Sequence, residues 1–273
     1  MAGNFAGKVV LVTGSSSGIG RAVAVLLAQQ GAQVVVTGRS LDGVMETRRQ
    51  CVNAGAHPAD IFTITGDLTD DDFVGDLIRK TIETFGKLNI LVDATGKDGW
   101  EMSVDVMDRS IRTNFRSVLV ITQKAFPHLE KTKGDIVNVS TFLAVPPVGI
   151  RSMPYYGVPK AALDHMTRSM AHEYALKGVR VNSVNPGLVP TSFFSRLGFG
   201  DEKTRKMEEY IASRRDFVPF GRIATSEDIA ETVAFLADRK RSQCIIGQLI
   251  IVDGGSRLCC NIDMSDFKEQ MQN

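Results

Sequence analysis

Tyr156 and Lys160 stand four residues apart in "PYYGVPKAAL", 154–163. On a helix, positions i and i+4 lie one above the other on the same face. A free phenol titrates near ~10 and is protonated at neutral pH. An ammonium beside it favours the phenolate and lowers that value. The pair therefore predicts a tyrosine tuned toward working pH, able to give a proton and to take one back. Tyr155 has Pro159 at the same spacing and points about 100° away around the helix, so it is read as packing or lining. Taken alone, the Tyr–Lys spacing also fits a packed aromatic and a solvated lysine, and the other residues of the site must decide.

"VVLVTGSSSGIG" places Gly14, Gly18 and Gly20, with Ser16, Ser17 and Ile19 between them, after an apolar β-branched run. Glycines here allow a tight turn and let a pyrophosphate approach a helix N-terminus, where N–H groups and the helix dipole favour an anion. The spacing is G-x-x-x-G-x-G rather than G-x-G-x-x-G. The residue that selects the cofactor should end the next strand, where NAD sites carry a carboxylate for the ribose 2′-hydroxyl. That strand reads "VVVTGRS", with no carboxylate at Thr37–Arg39. Arg39 offers a planar fork suited to a 2′-phosphate, so NADP(H) is the predicted cofactor.

Seven short, nearly continuous apolar runs could position these groups: 8–13, 33–37, 61–65, 88–93, 135–140, 179–185 and 248–253. Strands buried on both faces read this way. Between most of them lie amphipathic stretches at 18–30, 40–54, 70–86, 103–130, 155–177 and 225–238. Strands alternating with helices imply right-handed βαβ units. The expected fold is α/β, a single-domain Rossmann fold over residues 1–273 with a doubly wound parallel seven-stranded sheet and helices on both faces. The excursion at about 190–224 is read as a substrate lid, and 257–273 as a short tail.

The chain has 273 residues, 43% hydrophobic and 23% charged, with a net charge of +1. That balance gives no reason to expect a nucleic-acid partner. Cys51, Cys244, Cys259 and Cys260 lack C-x-x-C spacing, and the four histidines form no ligand cluster. Reduced thiols, a cytoplasmic location and no metal are expected. No leader pattern opens the chain and no run is long enough to span a bilayer.

With "TGSSSGIG" and "YGVPK" on one chain, the sequence resembles the short-chain dehydrogenases/reductases over about 6–256. The resemblance implies roles for further residues. Asp67 and Leu68 of "GDL" would meet the adenine ring, and Gly96 would let the backbone approach the cofactor. Asn114 of "RTNF" would hold a water linking Lys160 to solvent. In "NPGLVPT", Pro186, Gly187, Val189 and Thr191 would hold the nicotinamide end. Lys160 would also bond the ribose hydroxyls. A homotetramer joined through the helices at 103–130 and 155–177 and the last strand is implied as well.

The chain departs from that pattern in three places. "DATG" puts Asp93 where the family carries an asparagine that ties the central sheet, which questions the sheet locally. "NVST" puts Thr141 at the position of the catalytic serine, with Ser140 before it as the other candidate. Pro159 lies inside the Tyr–Lys helix, so that helix should begin close to Tyr155 or Tyr156. In this reading Tyr156 is the acid and base, Thr141 polarises a carbonyl oxygen, and Asn114 and Lys160 complete a catalytic four. The expected activity is NADP(H)-dependent hydride transfer to or from a carbonyl or secondary alcohol.

Phe193, Phe194, Phe199, Phe217 and Phe220 in the lid suit an apolar substrate or pack the lid down, and Trp100 is a candidate for substrate contact. The alternative is a nucleotide-binding regulatory or scaffold protein with lost chemistry, which should lack the acid, the lysine or the hydroxyl. None is missing.

Overall fold

The structure, a computed structural model, describes residues 3–95, 103–145, 154–191 and 201–259, apart from the side chains at 154, 201, 203, 204 and 207. Each predicted strand forms: β1 (Val9–Thr13), β2 (Gln33–Gly38), β3 (Ile61–Thr65), β4 (Ile90–Asp93), β5 (Asp135–Val139), β6 (Arg180–Pro186) and β7 (Leu249–Val252). They pair in parallel in the order β3-β2-β1-β4-β5-β6-β7. The chain order reverses between β1 and β4, and at such a switch point the carboxyl ends of the strands leave a crevice.

Seven helices fall in the predicted amphipathic stretches: α1 (Gly18–Gln29), α2 (Leu41–Asn53), α3 (Asp71–Phe85), α4 (Val104–Ile111), α5 (Ser117–Thr132), α6 (Pro154–Ala175) and α8 (Ser226–Ala237); α7 (Asp201–Ser213) lies outside them. Strand side chains alternate between two cores, as the pleat requires. Val10, Val12, Val34, Val36, Ile90 and Val92 pack with Val23 and Leu27 of α1 and Ile229 and Val233 of α8. Their neighbours Val9, Leu11, Val35 and Leu91 face the other way, onto Leu77 of α3, Ile121 of α5 and Tyr174 of α6. A continuous apolar run in sequence is thus two alternating faces in space.

Two expectations change. The stretch 103–130 is not one regular helix: a π-turn at Arg112–Arg116 separates α4 from α5 and carries Asn114. The extra residue per turn re-aims the side chains on it, a device frequent at functional sites. The excursion at 190–224 contains α7, whose sequence DEKTRKMEEYIAS is mostly charged and polar. At Asp93, β4 keeps its register with both neighbours, Thr13↔Asp93 and Asp93↔Asn138.

The opposite edge of the sheet is pinned by a buried ion pair. Arg180, at the start of β6, donates to Asp135, at the start of β5, at 2.8 Å. Its other nitrogens reach Ser242 O at 2.6 Å and Leu236 O at 2.8 Å, and Arg239 also contacts Asp135 at 3.1 Å. These bonds draw the end of α8 onto the strands. Removing one partner of such a pair strands the other charge in a dry site, at a cost of about 3–5 kcal/mol. Asp135→Ala is expected to lose that much stability in urea unfolding; a loss under about 1 kcal/mol would mean the pair is effectively solvated.

Candidate active site

At the carboxyl edge of the sheet a cavity of about 420 Å³ runs from the loop after β1 to the first turn of α6. The glycine loop forms one end. Gly14 and Gly18 have φ of +60° and +55°, values that favour glycine. Space matters too: a Cβ on Gly14 would stand 2.7 Å from Ala94 O, and one on Gly20 would stand 2.5 Å from Gly14 O. Ser15, not singled out from sequence, ties the loop down. Its Oγ donates to Val12 O at 2.7 Å and accepts from Thr37 N at 2.9 Å. Arg21 holds the loop from behind, donating to Ser16 O and to Thr47 Oγ1 at 2.9 Å.

The N-terminus of α1 differs from those of its neighbours. Ser40, Asp70, Ser103 and Thr225 cap α2, α3, α4 and α8 with their side chains. Ser17 makes no side-chain cap on α1, and the first turn of α1 carries no carboxylate. Its leading N–H groups and positive dipole end are therefore suited to an anion in the cavity. Arg39, exposed just after β2, lines the same cavity, as do Asp67, Leu68 and Thr69 beyond β3. The donor set fits a dinucleotide carrying an extra phosphate: a helix terminus for the pyrophosphate and a guanidinium at the end of β2.

Lys160 and Tyr156 define the other end. Lys160 is 1% exposed. Its ammonium donates to Val139 O at 2.8 Å and to Thr95 O at 3.0 Å, spanning the ends of β5 and β4. Burial pushes its pKa down to about 8, against the opposing pull of the Asp93 and Asp164 carboxylates. The Asp93 carboxylate accepts from Thr95 N at 3.0 Å, so this residue shapes the turn that presents Thr95 O. The Tyr156 phenol is pushed up to about 12 by burial. This corrects the expectation that Lys160 lowers it: in the protein alone the ammonium is spent on two carbonyls, and desolvation of the phenolate decides the sign.

The two hydroxyls at the end of β5 are placed differently. Ser140 Oγ turns toward α6 and donates to Lys160 O at 3.3 Å. Thr141 Oγ1 accepts from Leu143 N at 3.4 Å, and Thr141 O is held by Asn185 Nδ2 at 3.1 Å. That same amide donates to Asp164 at 2.7 Å and its Oδ1 accepts from Ser183 at 2.8 Å. Asn185 was not anticipated, because its partners lie on three separate elements. Thr141 and Ser140 both line the cavity, with Phe142, Leu143 and Leu188 supplying apolar wall.

Nearly all the anticipated residues meet here: Gly14, Ser16, Ser17, Gly18, Ile19, Gly20, Arg39, Asp67, Leu68, Thr141, Tyr156, Lys160, Pro186, Gly187, Val189 and Thr191. Thr191 packs against Gly18, where an added Cβ would be 3.3 Å from its side chain. Asn114 is the exception. It is fully buried behind the wall, and its amide donates to Ser110 Oγ at 2.9 Å and Ser110 O at 3.1 Å. Sequence reading missed Arg109, Arg112 and Thr113, which line the cavity from the α4 side. Gly96, Trp100, Phe193, Phe194 and Phe199 lie outside the described residues. Phe217 is buried and Phe220 is exposed, its ring beneath Arg222; neither lines the cavity. Among the described residues no group of His, Cys, Asp or Glu could hold a metal ion, and no helix is long and apolar enough to cross a membrane.

Comparison with known proteins finds relatives over nearly the whole chain. The family model described as Enoyl-(Acyl carrier protein) reductase matches residues 14–257. A cis-4-hydroxycyclohexanecarboxylate dehydrogenase of Sinomonas cyclohexanicum is 36% identical, over 92% of this chain and 97% of its own length. A short-chain dehydrogenase/reductase of unknown function from Caenorhabditis elegans, solved with cofactor, superposes with a TM-score of 0.91 at 38% identity, over 94% of this chain and 98% of that one. Glucose dehydrogenase of Caenorhabditis elegans in the apo-form gives 0.80 at 42% identity, over 93% and 99%.

The loop geometry makes a direct forecast. Gly20→Ala sets a methyl against the backbone of Gly14, which cannot yield as a flexible side chain would, so the anion cradle must open. NADPH affinity measured by calorimetry is expected to fall at least about tenfold, a loss of ~1.4 kcal/mol. Unchanged affinity would show that the loop does not contact the dinucleotide.

Proposed function

The chain belongs to the short-chain dehydrogenase/reductase family and is an oxidoreductase, and from that premise we propose that it moves a hydride between NADP(H) and a carbonyl or secondary alcohol on an apolar substrate. The observation that carries the reading is convergence. Tyr156, Lys160 and the Thr141 hydroxyl line one cavity whose far end is an anion-ready helix terminus flanked by Arg39.

Bound along this cleft, the dinucleotide supplies the hydride. The chain supplies the proton and the position. Tyr156 holds a proton through neutral pH, because burial keeps its pKa far above that range. It gives that proton to the carbonyl oxygen as the carbon is reduced, and takes it back in the reverse direction. Thr141 donates to the same oxygen and fixes its direction, through a loop held by Asn185. Lys160 spends two of its three donors on Thr95 O and Val139 O, leaving one for a ribose hydroxyl. Its charge is held at the end of β5, from a position one turn after Tyr156 on α6.

Phe142, Leu143 and Leu188 form the apolar wall beside Thr141, which supports a substrate with a hydrophobic body. The same reading extends to a homotetramer in the cytoplasm. Val158 on α6, Leu176 just past its end and Ile246 before β7 are exposed apolar side chains at the elements expected to join subunits.

NADPH oxidation with a panel of ketones tests the reaction. Tyr156→Phe is expected to lower kcat by about 100-fold or more with NADPH still bound. NADPH binding by the parent chain without turnover of any ketone would favour a regulatory nucleotide-binding role. The pH profile follows from the site. Reduction needs a protonated Tyr156 and a charged Lys160, so the rate should be level near neutral pH. It should fall above about 8, where the buried Lys160 loses its proton. A reduction rate that climbs through that range would contradict the assignment. Arg39→Ala should weaken NADPH by about tenfold or more while leaving NADH within about twofold. Equal losses for the two would remove the phosphate role.

A further inference from the structure

α6 begins at Pro154 and carries a second proline, Pro159, between Tyr156 and Lys160. In an α-helix the carbonyl of Tyr155 accepts from the N–H of residue 159. Proline has no N–H, so that bond cannot form. A covered carbonyl left without a donor is costly. Here the donor comes from another element. Ser110 Oγ, on α4 and 45 residues away in sequence, donates to Tyr155 O at 2.7 Å. Ser110 is 2% exposed and Tyr155 is half-buried. The same oxygen accepts from Asn114 Nδ2 at 2.9 Å. One hydroxyl therefore has its proton committed to α6 and a lone pair committed to the π-turn.

The bond's location matters more than its strength. The carbonyl of Tyr155 and the nitrogen of Tyr156 belong to one rigid peptide plane. Whatever fixes that carbonyl fixes the start of the Tyr156 residue. The first turn of α6 has lost one of its own bonds to Pro159, and Ser110 replaces it from α4. The distance from Tyr156 to Lys160 along α6, and the placement of that pair against α4, thus depend on a side chain that does not line the cavity.

We propose that Ser110 is a positioning residue for the reaction: its hydroxyl replaces the helix donor that Pro159 removes, and so sets Tyr156 relative to Lys160 and the cavity. The activity arm of the test rests on the oxidoreductase reading; a second arm does not. Ser110→Ala and Ser110→Cys are made in the parent chain and in the Pro159→Ala chain, where residue 159 can again supply an N–H.

In the parent chain, Ser110→Ala should lower kcat for ketone reduction about tenfold or more, with KM for NADPH within about twofold. Ser110→Cys, a weaker donor, should fall between. In the Pro159→Ala chain the loss from Ser110→Ala should shrink to about twofold or less, a non-additivity expected only where two groups serve one bond. An equal loss in both chains overturns the proposal. So does no loss, or a loss confined to KM for NADPH, which would mean a merely structural serine.

The second arm is amide hydrogen exchange over 154–162, read without turnover. It should quicken in Ser110→Ala and return toward the parent rate in Ser110→Ala/Pro159→Ala. If the parent turns over no ketone, the functional reading fails while exchange still decides the role of Ser110. If Ser110→Ala does not fold, the comparison is made with Ser110→Cys, and exchange unaltered by it in either chain overturns the proposal.

Discussion

An ammonium taken out of water must find other acceptors, and the position of those acceptors then positions the charge. Lys160 is almost wholly buried, and its replacements for water are the carbonyls of Thr95 and Val139. Val139 ends β5 and Thr95 lies two residues past the end of β4, so the lysine's place depends on β4 and β5 ending together, as the pairing Asp93↔Asn138 ensures. Asp93 and Asp164 offset part of the desolvation, yet burial prevails and the group sits at about 8. α6 must therefore approach the sheet closely enough to deliver the lysine. That approach brings Tyr156, one turn earlier, to the cavity.

The two edges of the sheet use polar burial for opposite purposes. At the amino edge, Asp135 pairs with both Arg180 and Arg239, whose remaining nitrogens saturate nearby carbonyls. Such a network stabilises the fold and has little remaining capacity for a ligand. At the carboxyl edge the donors are left directed at a cavity: the N-terminus of α1, the guanidinium of Arg39, the hydroxyl of Thr141. The helix caps repeat the contrast, since four helices close their N-termini with their own side chains while Ser17 makes no side-chain cap on α1. Buried polar groups that satisfy one another rigidify the fold around them.

Much of this was legible in the chain. Seven apolar runs separated by amphipathic stretches led to the parallel sheet, because strand burial on both faces and helical periodicity are local patterns. The glycine loop was legible because only residues without a side chain fit where Gly14 O and Ala94 O approach so closely. Tyr156 and Lys160 were legible from their spacing, and Arg39 from the missing carboxylate at the end of β2. The helix over 201–213 was not, since charged and polar residues outnumber the few apolar ones, Met207, Tyr210 and Ile211, that could mark a packed face. The π-turn at Arg112–Arg116 was not either, for its sequence differs little from that of an ordinary helix.

The sequence by itself determined which local structures form and which reactive groups share a turn, since both follow from periods of two and 3.6 residues. Tertiary structure alone decided the electrostatic setting of those groups. The phenol that spacing suggested would be more acidic is pushed up to about 12 instead, because the cost of burying its anion depends on everything packed around it. It also decided which long-range partners meet: Ser110 with the carbonyl that Pro159 leaves without a donor, Asn185 with Thr141, and the Lys160 ammonium with two strand ends. A hydrogen bond between residues far apart in sequence leaves no periodic trace, so only the folded chain reveals it.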